Sequence, residues 1–96
     1  MSDELAWLMD WYTSQCDGDW EHSYGVAIET LDNPGWSLKV DLKDTDLEGK
    51  PFAKLEHELE SDVSWWVCRV EDDQFQASCG PRDLAQVISV FRAWAA

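Results

Sequence analysis

The sequence predicts an α+β domain: an antiparallel sheet of about five strands in meander order, with N- and C-terminal helices packed on it. Three observations carry this expectation. Apolar residues recur at helical spacing at both ends of the chain. Between those ends the period falls to two, and turn residues divide the alternating segments. The 96 residues contain no repeat, linker or low-complexity stretch, so residues 1–96 make a single domain around one core.

Taken in order, Ser2 is placed to cap a first helix, with Asp3 and Glu4 complementing its positive end. Leu5, Leu8, Met9 and Tyr12 then follow at i, i+3, i+4 and i+7, which marks them as the core-facing stripe. Trp7 and Trp11 lie one turn apart on the neighbouring flank, and the helix ends near Gln15. From Tyr24 to Leu42 the alternation is two-fold. Val26 and Ile28 face one way, Asp32-Asn33-Pro34-Gly35 intervenes, and Trp36, Leu38, Val40 and Leu42 then alternate with Ser37, Lys39, Asp41 and Lys43. Pro34 and Gly35 carry the signature of a type II turn, with Gly35 at positive φ, so this segment is a hairpin. Gly49-Lys50-Pro51 breaks the chain. Residues 52–60 suit either helix (Phe52, Leu55, Leu59) or strand (Leu55, His57, Leu59); strand is favoured because the next segment needs a neighbour. That segment, Val63 to Val70, is apolar on both faces, as in a central strand covered on both sides. Glu71-Asp72-Asp73 turns the chain into a last strand whose Phe75, Ala77 and Cys79 face inward. Gly80-Pro81 opens the final helix, with Pro at its first position and Asp83 in its first turn. Leu84, Val87, Ile88, Phe91 and Trp94 form its apolar face, and Arg92 complements its C-terminal end.

Charge is the strongest compositional signal. Twenty acidic residues stand against seven basic ones, a formal net charge of −13. Such a field repels nucleic acid and anionic lipid and draws in cationic partners. The acids cluster at Asp17/Asp19/Glu21, Asp41/Asp44/Asp46/Glu48, Glu56/Glu58/Glu60/Asp62 and Glu71/Asp72/Asp73. Each cluster is interleaved with apolar residues, the pattern of a folded acidic surface and not of a disordered tail. Seven tryptophans exceed what a core of this size needs, which leaves some for a partner surface, where Trp is enriched among anchors. The first fifteen residues carry Asp3, Glu4 and Asp10, the wrong charge for a signal or transit peptide. No run of eighteen apolar residues is present, so no membrane span is expected. Cys16, Cys68 and Cys79 form no CxxC pair, which fits reduced thiols in a cytoplasm.

The densest chemistry lies in Cys16-Asp17-Gly18-Asp19-Trp20-Glu21-His22. Its spacing resembles the start of an EF-hand loop, but His22 stands where that loop needs glycine and Ile28 where it needs glutamate. A Cys16–His22 pair for nucleophilic catalysis lacks a surrounding motif, and the acidic neighbours favour the protonated thiol. Cys16, His22, His57, Cys68 and Cys79 have no zinc-ligand spacing; Cys68 and Cys79 fit better as ordinary core residues. No phosphate loop and no basic patch interleaved with aromatics is present. The expectation is a binding protein with no catalytic residue, no cofactor and no metal. Its candidate partner-binding residues are Asp17, Asp19, Trp20, Glu21, His22, Asp32, Asn33 and Trp36. Trp20 and His22 suit a local lock between helix and sheet as readily as a binding contact, and Trp36, which begins an alternating strand face, suits core packing.

Two segments, Cys16-Asp17-Gly18-Asp19-Trp20-Glu21-His22-Ser23-Tyr24-Gly25 and Glu29-Thr30-Leu31-Asp32-Asn33-Pro34-Gly35-Trp36, resemble the signature of the immunity protein 53 family. Trp11-Tyr12, Gly80-Pro81 and the Phe91/Trp94 ending match as well, so the resemblance runs over nearly the whole chain. Cys79 stands where the family tends to have glycine before Gly80-Pro81. The resemblance implies an immunity protein of a bacterial polymorphic toxin system, which binds and neutralises a toxin encoded beside it, in the cytoplasm. A basic, nuclease-type toxin is the expected partner, and a monomer is the favoured state. Two alternatives stand beside it: an acidic adaptor or nucleic-acid mimic, and a small hydrolase or metal module built on Cys16, His22 and the nearby carboxylates.

Overall fold

The computed structural model describes residues 3–96; the expected Ser2 cap lies outside the described residues. The chain runs α1 (Asp3–Gln15), α2 (Trp20–Ser23), β1 (Val26–Leu31), β2 (Gly35–Asp41), β3 (Leu55–His57), β4 (Trp66–Glu71), β5 (Gln74–Cys79) and α3 (Leu84–Ala95). The five strands form one sheet with every neighbouring pair antiparallel. The α+β class, the terminal helices and a strand within residues 52–60 are as the sequence predicts.

Strand order is not a meander. It runs β1-β2-β5-β4-β3, so the chain leaves β2, crosses to the far edge, and returns through two hairpins to lay β5 against β2. Burial explains this order. β2 and β5 carry the most deeply buried alternating residues, Leu38, Val40, Phe75 and Cys79, each with no accessible surface. Strands with that demand belong in the middle, whereas β3, only three residues long, ends the sheet at an edge. The crossing segment is tied down by buried Leu42 and Leu47 and by an amide bond from Leu42 to the Asp73 carbonyl at 2.8 Å.

Side chains of one sheet face form the core. Across the register, Val26, Val40, Phe75 and Val70 share a row, as do Ile28, Leu38, Ala77, Cys68 and Leu55. Only this face is covered by helices. The expectation of a central strand covered on both sides fails: Val67 belongs to the open face, and Trp65 precedes the strand. The open face is otherwise mostly polar, with Ser37, Lys39, Arg69, Gln76 and Ser78.

Helix α3 lays Val87, Ile88 and Phe91 on the sheet, where Phe91 meets Phe75 at 5.0 Å between ring centroids. It begins at Leu84, so Pro81 is not its first residue. The Asp83 carboxylate instead accepts from the Ser64 hydroxyl at 3.1 Å and the Trp65 amide at 3.0 Å, clasping the connection into β4. Helix α1 packs on α3 and is rotated from its expected setting. Trp7 and Trp11 meet Phe91 edge-on at 5.6 and 5.1 Å, Leu8 is buried, and Leu5, Met9 and Tyr12 are 37%, 53% and 38% exposed. Each indole carries more apolar area than any one of Leu, Met or Tyr, and both meet Phe91, so they claim the inner face.

Gly35 also departs from its expected role. Its φ is not positive, and it already pairs with Leu31 as the first residue of β2. A Cβ there would lie 2.3 Å from the Cys79 carbonyl oxygen, so close approach of the strands demands glycine.

Candidate partner-binding surface

The connection between α1 and α2 is held by its own acids. The Asp17 Oδ1 accepts from the amides of Asp19 at 2.9 Å and Trp20 at 3.0 Å. Glu21 reaches back, accepting from the Asp17 amide at 3.0 Å and the Gly18 amide at 2.9 Å. Gly18 supplies the positive φ, +96°, that lets the chain fold onto both carboxylates. The four-residue helix α2, invisible to hydrophobic periodicity, is the product of this reciprocal capping. The backbone amides of Trp20 and Asp19 hold the Asp17 carboxyl below its ordinary pKa. Glu21 is lowered by its own amide and by those of Asp17 and Gly18. Both therefore stay ionised while their oxygens serve the fold. Asp19 and His22 are exposed and make no such bonds through their side chains.

Trp20 is the lock. It is 5% exposed, its indole N–H donates to the Lys43 carbonyl at 2.9 Å, and its ring meets Trp11, Tyr12 and Tyr24 with centroids 6.1–6.2 Å apart. Of the two readings the sequence left open, structural locking describes Trp20. Immediately beyond, the Asp41 carboxylate accepts from the Gly25 amide at 3.0 Å and from Gln74 at 2.9 Å, fixing where β1 begins.

Asp32, Asn33 and Trp36 lie at the other end of the β1–β2 hairpin. Asp32 and Asn33 are exposed in its three-residue loop. Trp36 is half-buried against the core, and its indole donates to the Pro81 carbonyl at 3.0 Å. At about 3.3 Å per residue, the six-residue strand β1 separates this group from Asp17–His22 by roughly 17–20 Å. The eight candidate residues thus form two groups at opposite ends of one hairpin. A cleft of about 490 Å³ lined by Asn33, Pro34, Leu59, Asp62, Trp65 and Val67 adjoins the second.

A feature not singled out from the sequence adjoins the first group. Because α1 turns its indoles inward, Leu5, Met9 and Tyr12 face Val26 and Ile28 across an apolar groove of about 290 Å³. Helix α1 has two apolar flanks, and its contact with α3 buries one; that double flank was the available signal. The open sheet face carries a different feature. Lys39, Gln76 and Arg69 stand in register across β2, β5 and β4, and Arg69 is engaged by Gln76 at 3.2 Å and Glu71 at 3.3 Å.

Cys68 and Cys79 are unsuited to nucleophilic work. Burial pushes Cys68 up to about 12 and Cys79 up to about 11, so both stay protonated at neutral pH. Cys16 donates to the Tyr12 carbonyl at 3.3 Å. Among the described residues no group of three or more His, Cys, Asp or Glu side chains is placed to hold a metal ion. No helix among them is long and apolar enough to cross a membrane.

Compared with known proteins, residues 5–96 match the model of one family, described as immunity protein 53. No curated protein and no solved structure matches the chain.

Proposed function

The chain belongs to the immunity protein 53 family, and from that premise we propose that it binds and neutralises a basic, nuclease-type toxin domain encoded beside it. The family match over residues 5–96 carries the immunity role. The charge supports the nature of the partner. A net charge of −13 complements a domain whose own surface is built to hold a polyanion, and it raises the rate of encounter. On this reading the protein works by occlusion in the cytoplasm, as a monomer and without chemistry of its own. The buried, protonated thiols of Cys68 and Cys79 accord with that.

The acidic α1–α2 connection is the favoured contact: the exposed Asp19 carboxylate stands beside those of Asp17 and Glu21, which the loop amides hold, with His22 next to them and Trp20 as the internal anchor. Asp32, Asn33 and Trp36 belong to a second contact zone at the far end of the hairpin. Co-production of this chain with the neighbouring toxin domain tests the proposal. Cells making the toxin alone should stop growing, and cells making both should grow normally and yield a one-to-one complex on purification. Growth arrest despite abundant folded protein would contradict it.

A further inference from the structure

Strand β1 is a sheet edge that has not been blunted. Natural edges are protected by Lys, Pro, a bulge or brevity. The sequence Val26-Ala27-Ile28-Glu29-Thr30-Leu31 has neither Lys nor Pro, and its register against β2 is continuous over six residues with no bulge. The other edge, β3, is only three residues long and is flanked by charge.

Two backbone bonds fix which groups of β1 are free. The Asp41 amide donates to the Gly25 carbonyl at 3.0 Å, whereas the Leu42 amide donates to Asp73 at 2.8 Å. In an antiparallel ladder these partners alternate. Odd-numbered residues of β2 therefore bond to β1 at Gly25, Ala27, Glu29 and Leu31, and even-numbered ones bond to β5. The amides and carbonyls of Val26, Ile28 and Thr30 point outward from the sheet edge. Their side chains lie on the helix side, so a strand paired there would set its alternate side chains beside them. For the residues opposite Val26 and Ile28 that place is the groove lined by Leu5, Met9 and Tyr12. Its intervening side chains would emerge on the open face next to Ala27 and Glu29.

Resting on the immunity reading, we propose that β1 and the α1 groove receive an extended segment of the toxin as a sixth strand, one in which apolar residues alternate with basic ones. The apolar residues fill the groove, and the basic ones face Glu29 in the field of a strongly acidic protein. Main-chain bonds supply a generic part of the affinity and the groove supplies the selectivity.

Amide hydrogen exchange on the complex with catalytically inactivated neighbouring toxin domain is the test. Exchange at Val26, Ile28 and Thr30 should slow by about tenfold or more on binding, with little change at Ala27 and Glu29, which β2 already protects. Thr30→Pro removes one outward amide without touching the β1–β2 ladder, and Met9→Lys charges the groove without touching the strand. Each should weaken the complex by about tenfold or more while the melting curve is kept. A complex that forms with these three amides still exchanging freely, or that tolerates both variants, overturns the proposal. So does protection of the same amides by a second copy of this chain in concentrated solution without toxin. If the toxin does not bind at all, the immunity reading falls, and a peptide of sequence Lys-Val-Lys-Ile-Lys-Val decides the edge separately. Its chemical-shift changes should center on Val26–Thr30, Leu5, Met9 and Tyr12; changes confined to the acidic loops, or none, count against β1.

Discussion

Carboxylates that look alike in the sequence divide into two kinds of work. Asp17 and Glu21 accept backbone amides and hold the α1–α2 connection, whereas the Asp19 carboxylate takes no part in those bonds. Because the folded-state pKa values of Asp17 and Glu21 are lowered, their contribution to stability is fully present above the ordinary carboxylate range. It is lost as pH falls through their folded values. The double variant Asp17→Asn/Glu21→Gln should therefore lower the thermal midpoint at neutral pH and flatten its decline between about pH 5 and pH 2. Asp19→Asn should leave the midpoint in place and weaken toxin binding per folded molecule. Melting curves over pH, with titration calorimetry on the same samples, check both; an unshifted midpoint in the double variant would deny the capping role. The sequence exposed this cluster but not the division within it. That depends on Gly18 bending the loop at positive φ and on which oxygen meets which amide.

At the scale of elements, local signals gave the two terminal helices and the hairpins but not α2, and the other failures were ones of competition. Helix α1 has two apolar flanks, and periodicity alone ranks Leu5, Met9 and Tyr12 above Trp7 and Trp11. The larger indole area, met by Phe91, reverses that ranking. Strand order was out of reach for a similar reason. Neighbouring strands pair by default, and only the full burial of Phe75 and Cys79 beside Leu38 and Val40 moves β5 into the centre. The β4–β5 turn holds a further cost. Asp72 and Asp73 form its two-residue loop with φ of 55° and 58°, the mirror-image turn for which Asn-Gly is the preferred pair. Replacing them by Asn and Gly relieves a left-handed penalty of about 1 kcal/mol. The melting temperature should rise by roughly 4–8 °C on calorimetry. A fall would mean that the Asp73 side chain, and not only its carbonyl bonded to Leu42, supports the crossover.

For the whole molecule, fold and charge divide the labour. Aromatic packing around Phe75, Phe91, Trp7 and Trp11 makes one body with a radius of gyration of 13.2 Å, and none of the acids among the described residues is buried. The family was legible in the two motif segments because they build the least ordinary parts of the fold. Those parts are the self-capped connection that locks Trp20 and the tight hairpin end where Gly35 meets Cys79. The groove beside β1 was not legible, because it arises from the rotation of α1 and from which strand is left at the edge. On the proposed function, an acidic surface captures a basic toxin domain. Stopped-flow association with the inactivated toxin domain at increasing ionic strength tests it most directly. The association rate should fall by about tenfold or more between roughly 0.05 and 0.5 M salt, as screening shortens the reach of the acidic field. A rate indifferent to salt would contradict it.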